Sequence, residues 1–135
     1  MADLTAVAAA DVSAAKVIEQ MTGPAGAVIT AGMLVGLDAN GHFIAAADDA
    51  VNPVECVGIA IGSATFAGQT ITVVSKGWVD VGDVMDGMDY GDDVFVGTGA
   101  GVMADAQTAA MDAIGKVWPA FGHTGDADKL LRIDV

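Results

Sequence analysis

Short apolar runs, broken by glycine, aspartate and asparagine at intervals of about ten residues, fill this 135-residue chain from Lys16 to Val135. That rhythm predicts an all-β domain, a small antiparallel sandwich or barrel, because a half-buried strand needs only a few residues before it must turn. The runs are KVIEQM, GMLVGLD, HFIAA, VECVGIAIG, QTITVVS, GWVDV, DVFVG, GVMA, AIGKVWPAF and KLLRIDV. Alternation puts Met33, Val35 and Leu37 on one face, and Ile71 and Val73 on one face between Thr70 and Thr72. In the last run Leu131, Ile133 and Val135 oppose Arg132 and Asp134, so the chain is expected to end inside a sheet.

Turn chemistry supports the same reading. Asn40-Gly41, inside LVGLDANGHFIA, predicts a two-residue type I′ hairpin, and TGAG at 98–101 predicts a second one joining DVFVG to GVMA. QTAAMDAIG allows at most one short helical turn, bounded by Gly115. Residues 1–15 are alanine-rich, with Asp3 and Asp11 as their only charges, and are short for an isolated helix, which is marginal below ~12–15 residues. They either pack on the domain or order against a partner. The expected organisation is an extended N-terminal arm, 1–15, and one β domain, 16–135.

Composition narrows the function classes. Apolar residues make up 53% of the chain but aromatics only 5%, so the core must come mostly from Ala, Val, Ile, Leu and Met. A formal charge of −13, with Lys16, Lys76, Lys116, Lys129 and Arg132 as the only bases, leaves no basic footprint for nucleic acid. The longest apolar stretches are interrupted well before the ~18 residues of a membrane span, and the N-terminus lacks the basic region of a secretory signal. No membrane partner is expected. The single cysteine, Cys56, excludes an intrachain disulfide and reads as a buried strand residue.

Candidate chemistry concentrates in WVDVGDVMDGMDYGDDVFVG, residues 78–97, which holds six aspartates and no base. Asp80, Asp83, Asp86, Asp89 and Asp92 recur every third residue, which fails the alternating ligands and terminal glutamate of an EF-hand loop. A turn or 3₁₀ link is expected there, with a weak cation site as the alternative. His42 and His123 each stand outside any zinc-ligand spacing, His42 starting a strand and His123 lying in a loop. Ser13, Ser63 and Ser75 lack a nucleophile elbow, and GTGAG at 97–101 lacks the third glycine of a dinucleotide loop. No cofactor or catalytic group is assigned. Trp118 and Phe121, flanking Pro119, read equally as interface anchors or as a core cap, while the strand setting of Trp78 leans to the core.

The order of pieces, ITAGMLVGLDANGHFIAA, VGIAIG, ITVVSKGWVDV, GDDVFVGTGAGVMAD, IGKVWPA and KLLRIDV, resembles the head decoration, or capsid cement, proteins of tailed bacteriophages across about residues 16–135. The resemblance rests on layout rather than on a chemical motif, and Phe95 stands where tyrosine is frequent in that family. It implies a β-rich virion protein on the outer surface of the capsid, bound to the major capsid protein, commonly as a homotrimer at local three-fold positions, with an N-terminal arm reaching neighbouring capsomers. No catalytic residue is carried over. Leu4, Val7 and Val12 in the arm, with Trp118 and Phe121, are the expected capsid or subunit contacts. Three rivals remain: a tail-tube subunit, a carbohydrate- or host-surface-binding module using Trp78 or Trp118, and a metal-assisted hydrolase using Asp83, Asp86 and Asp89.

Overall fold

The computed structural model describes residues 3–120 and 129–135. Among them nine strands form: β1 Val12–Pro24, β2 Leu34–Leu37, β3 Phe43–Ala45, β4 Gly58–Ala60, β5 Thr70–Val81, β6 Asp93–Val96, β7 Met103–Ala104, β8 Gly115–Pro119 and β9 Lys129–Asp134. A 3₁₀ turn at Ala9–Asp11 is the one helical element among the described residues, so none there is long enough to cross a membrane. Every strand pair is antiparallel and the sheet curls into a half-barrel. The all-β expectation holds, and nine strands rather than ten appear because QTITVVS and GWVDV join as β5.

β5 is the spine of the molecule. β1 follows it along one edge from Val12↔Val81 to Pro24↔Thr70. The other edge is shared: β4 takes Val73 and Val74, and β9 takes Lys76 to Val79. The sheet therefore forks at Ser75, one branch running β4-β2-β3 and the other β9-β8-β6-β7. Ser75 has no partner in the β1 register, which places a bulge there. An extra residue reverses the in/out phase of everything after it. Accordingly Val74 and then Val79 and Val81 enter the same core, whereas unbroken alternation would send Val79 and Val81 outward. Gly77 serves the same crossing, since a Cβ there would lie 2.5 Å from the Lys16 carbonyl.

Two apolar clusters result. The larger fills the fork, with Leu34, Ile59, Val74, Val79, Val94, Val117, Leu131 and Ile133 joined by Met85 and Met88. The smaller, built on Ile29, Val35, Phe43, Ala60, Ile71 and Val73, covers the opposite face of the β4-β2-β3 branch. Each fully buried Leu, Ile or Val stabilises by about 1.5–3 kcal/mol relative to exposure. The second cluster covers the face of β2 that Met33 and Val35 share, so this strand is buried on both sides. Leu34 and Val35 are both buried, one in each cluster, while Leu37 is 47% exposed and Met33 half-buried.

The β2–β3 hairpin forms where Asn40-Gly41 predicts it, but not with a type I′ turn. Asn40 keeps a negative φ, Gly41 alone is positive at 78°, and the Gly41 N–H donates to the Asp38 carbonyl. The Asp38 carboxylate decides the outcome by accepting from the Asn40 and His42 N–H groups at 2.8 and 2.9 Å. Those bonds, led by His42, hold the Asp38 carboxyl below the ordinary aspartate range. The β6–β7 hairpin at 98–101 is present as expected. The helical turn allowed in 107–115 is not: that segment wraps a carboxylate instead.

The first strand starts inside the segment expected as an arm. β1 begins at Val12, and residues 3–11 lie on their own domain. Asp3 bridges to Ala104, its carboxylate accepts from Thr98 and Gly99 N–H at 3.0 and 2.9 Å, and the Leu4 N–H donates to the Met103 carbonyl at 2.8 Å. Leu4, Val7 and Val12 pack against the larger cluster. Of the two readings open for this segment, the free chain takes the first.

Candidate functional site

The aspartate-rich link is a chain of turns. The Asp86 N–H donates to the Asp83 carbonyl, that of Met88 to Met85 and that of Asp92 to Asp89, each at about a three-residue step. This period buries Met85 and Met88 while Asp83, Asp86, Asp89 and Asp92 stay exposed. Two aspartates act on the backbone, Asp80 accepting from Gly82 N–H and Asp92 from Asp89 N–H, both at 2.9 Å. Lys129 ties the link down, donating to the Asp86 carbonyl at 3.0 Å and to the Met88 carbonyl, with Tyr90 5.5 Å below its ammonium. Among the described residues no three His, Cys, Asp or Glu side chains converge to hold an ion.

Asp48 is the one buried aspartate among the described residues, 2% exposed under a thin cover of residues 108–111. Its carboxylate accepts from the Thr108 hydroxyl at 3.1 Å and from the N–H groups of Ala109, Ala110 and Met111 at 2.9, 3.1 and 3.1 Å. Burial pushes its pKa up, but these donors outweigh it and hold the carboxyl below the usual range. It organises the 108–111 loop. The adjoining open depression of 670 Å³ is lined by Asp49, Glu55, Cys56 and Asp112 among others. Cys56 precedes β4 instead of lying in a strand, is partly covered, and burial pushes its thiol up to about 12. It packs against the larger cluster, and its thiol donates to the Gly58 carbonyl at 3.4 Å.

The outer face of the β1-β5-β9-β8 sheet has a different character. Register aligns Lys16, Trp78, Arg132, Lys116 and Asp93 in one row across five strands. Trp118 stands two residues along β8 from Lys116, on the same face. The indoles of Trp78 and Trp118 meet edge to face, with centroids 6.3 Å apart at 66°. The Arg132 guanidinium lies 5.2 Å from the Trp78 ring and 5.6 Å from Trp118, and the Lys16 ammonium lies 5.6 Å from Trp78. Lys116 pairs with Asp93 at 2.6 Å, and Lys76, on the same face, with Asp134 at 3.5 Å. Four of the five bases thus share one face of an acidic protein. The Ser75 bulge puts Trp78 there, because continuous alternation from Val74 would turn it inward; the leaning of Trp78 to the core is corrected.

The expected contact residues separate. Trp118 is 37% exposed on this face, while Leu4, Val7 and Val12 lie on the larger cluster. Phe121 and His123 fall outside the described residues. Sequence reasoning missed Lys16 and Arg132, which are 116 positions apart and meet at Trp78 only through strand register. Fold and site together define an all-β half-barrel with an indole–cation row on its outer face. Comparison with family models, with curated proteins and with solved structures gives no match to this chain.

Proposed function

We propose that this protein is a virion structural protein that docks on the outer surface of a phage capsid and cements it through contacts with the major capsid protein. The observation that carries this reading is the Trp78–Arg132–Trp118 cluster on an otherwise ordinary sheet face. Trp and Arg are the side chains most enriched where binding energy concentrates at protein interfaces. The layout resemblance supplies the kind of partner. Several copies, as a homotrimer, would raise the effective concentration of the second and third contacts, so each row need contribute only modest affinity. Leu4, Val7 and Val12 would reach the shell only after leaving their present seat.

The test mixes the purified protein with undecorated heads. Intact protein should co-sediment with heads, Trp118→Ala should bind at least about tenfold more weakly, as for an interface anchor, and removal of residues 1–11, which spares β1, separates the contribution of the N-terminal segment from that of the sheet. Failure of the intact protein to bind heads would remove the reading. A sugar-binding module is the second reading, favoured by the meeting of two indoles. It is weakened by Arg132, which occupies ring faces that a sugar would stack on. Glycan-array binding with no binding to heads would reverse that preference.

A further inference from the structure

We infer that the Lys16–Trp78–Arg132 row is a docking surface for an acidic, carboxylate-bearing segment of a protein partner. The inference rests on the docking role proposed above and names the chemistry of the other side.

The five bases of the chain are used unequally. In a chain with 18 acids, every base could have found a carboxylate. Lys76 and Lys116 do, and Lys129 takes backbone carbonyls. Lys16 and Arg132 have no carboxylate partner among the described residues and rest on indoles instead. They flank the same ring, Lys16 from β1 and Arg132 from β9.

That arrangement leaves specific capacity open. A guanidinium stacked on an aromatic face is covered on its plane, while the N–H donors along its edge still match a carboxylate in two parallel hydrogen bonds. Two indoles hold the fork in place, so less side-chain freedom is lost on binding. Lys16 and Arg132 are two strand spacings apart, about 9.6 Å. Acidic side chains two apart on an extended segment, about 6.8 Å, come within reach of that pair because the lysine stem is flexible. The remaining negative charge of the molecule opposes such a partner at long range, but beyond about 8 Å it is screened at physiological salt. On the face itself Asp93 and Asp134 are paired with Lys116 and Lys76, and the Asp80 carboxylate accepts from the Gly82 N–H, so Lys16 and Arg132 are the cations left to meet a carboxylate.

Both tryptophans of the chain belong to this surface, so intrinsic fluorescence reports it directly. A capped oligoglutamate peptide should shift tryptophan emission saturably, a neutral glycine-serine peptide of equal length should not, and high salt should remove the shift. Arg132→Gln should weaken the peptide at least about tenfold, in line with a charged hydrogen bond, and Arg132→Lys should restore only part of it. Should Arg132→Gln fail to fold, Lys16→Gln, at an exposed position, carries the same test with a smaller loss. No emission change, or an equal change with the neutral peptide, overturns the inference. So does a response to dextran sulfate without one to oligoglutamate, which would assign the row to a sulfated polymer, or self-association that Arg132→Gln abolishes without any peptide binding, which would assign it to a second copy. Heads separate the two proposals: undiminished binding of Arg132→Glu to heads sinks this inference and leaves the cement role standing, whereas oligoglutamate binding without head binding does the reverse.

Discussion

Asp48 and the aspartates of the 82–92 link are the same residue in opposite circumstances. Asp48 is closed off from water and ringed by four donors, while Asp83, Asp86 and Asp89 face solvent on a turn that Met85 and Met88 anchor from beneath. A buried carboxylate with fitted donors stabilises a particular loop; exposed ones shape turns and keep the surface wet. Acid density along a chain therefore says little about where an acid matters. One isolated Asp-Asp pair in a loop outweighs six aspartates in twenty positions.

The largest effect should come from Asp48→Ala, which strands the N–H groups of Ala109, Ala110 and Met111 and leaves the Thr108 hydroxyl only the Val96 and Asp48 carbonyls. We expect a loss of about 3 kcal/mol, from the cost of unsatisfied buried donors, read as a thermal midpoint lower by roughly ten degrees. Asp48 also sets an acid dependence. Its folded-state pKa lies below its unfolded value, so its contribution is complete above the ordinary aspartate pKa and is lost as pH falls through the lowered one. The stability gap between the native protein and Asp48→Asn should accordingly be full at neutral pH and close below about pH 4; a gap that widens on acidification would contradict the assignment.

Next in size is Lys129→Met, which leaves the carbonyls of Asp86 and Met88 without their cation. A cost of about 1.5–2 kcal/mol is expected, the low end of the range for hydrogen bonds to a charged group, with amide exchange accelerating first across residues 82–92. If exchange there is unchanged, the tether has been misassigned. The smallest effect belongs to the link itself. Replacing Asp83, Asp86 and Asp89 together by Asn should move stability by no more than about 0.5 kcal/mol per site, and calcium titration should leave the thermal midpoint of the native protein in place. A calcium-dependent rise that the triple variant loses would erase the contrast with Asp48.

Much of the fold was legible because strands and turns are local. The runs at 34–37, 43–45, 93–96, 103–104 and 129–134 were found from alternation and turn residues within a few positions of each element. What misled was any step needing knowledge of the other side of a strand. β2 reads as alternating, yet both its faces are covered, since residues 25–33 and 61–69 bring a second cluster over it. Asn40-Gly41 marks a hairpin correctly but leaves the turn type to the Asp38 side chain. The 107–115 segment has helix-tolerant residues, and a distant carboxylate recruits its N–H groups instead.

The candidate site divides in the same way. Trp118 stood out from its setting beside Pro119, equally as an interface anchor or a core cap, and the three-residue period of the acidic link already pointed to turns rather than ligands. Lys16 and Arg132 carried no local signal. By itself the sequence determined an antiparallel β protein, its turns, its acidic surface and its small-residue core, since these follow from propensity and period. Only the tertiary structure decided which faces are buried, where the sheet forks and which bases meet an indole. A single extra residue at Ser75 reverses the side on which every later residue of β5 emerges, and no stretch of local sequence records that reversal.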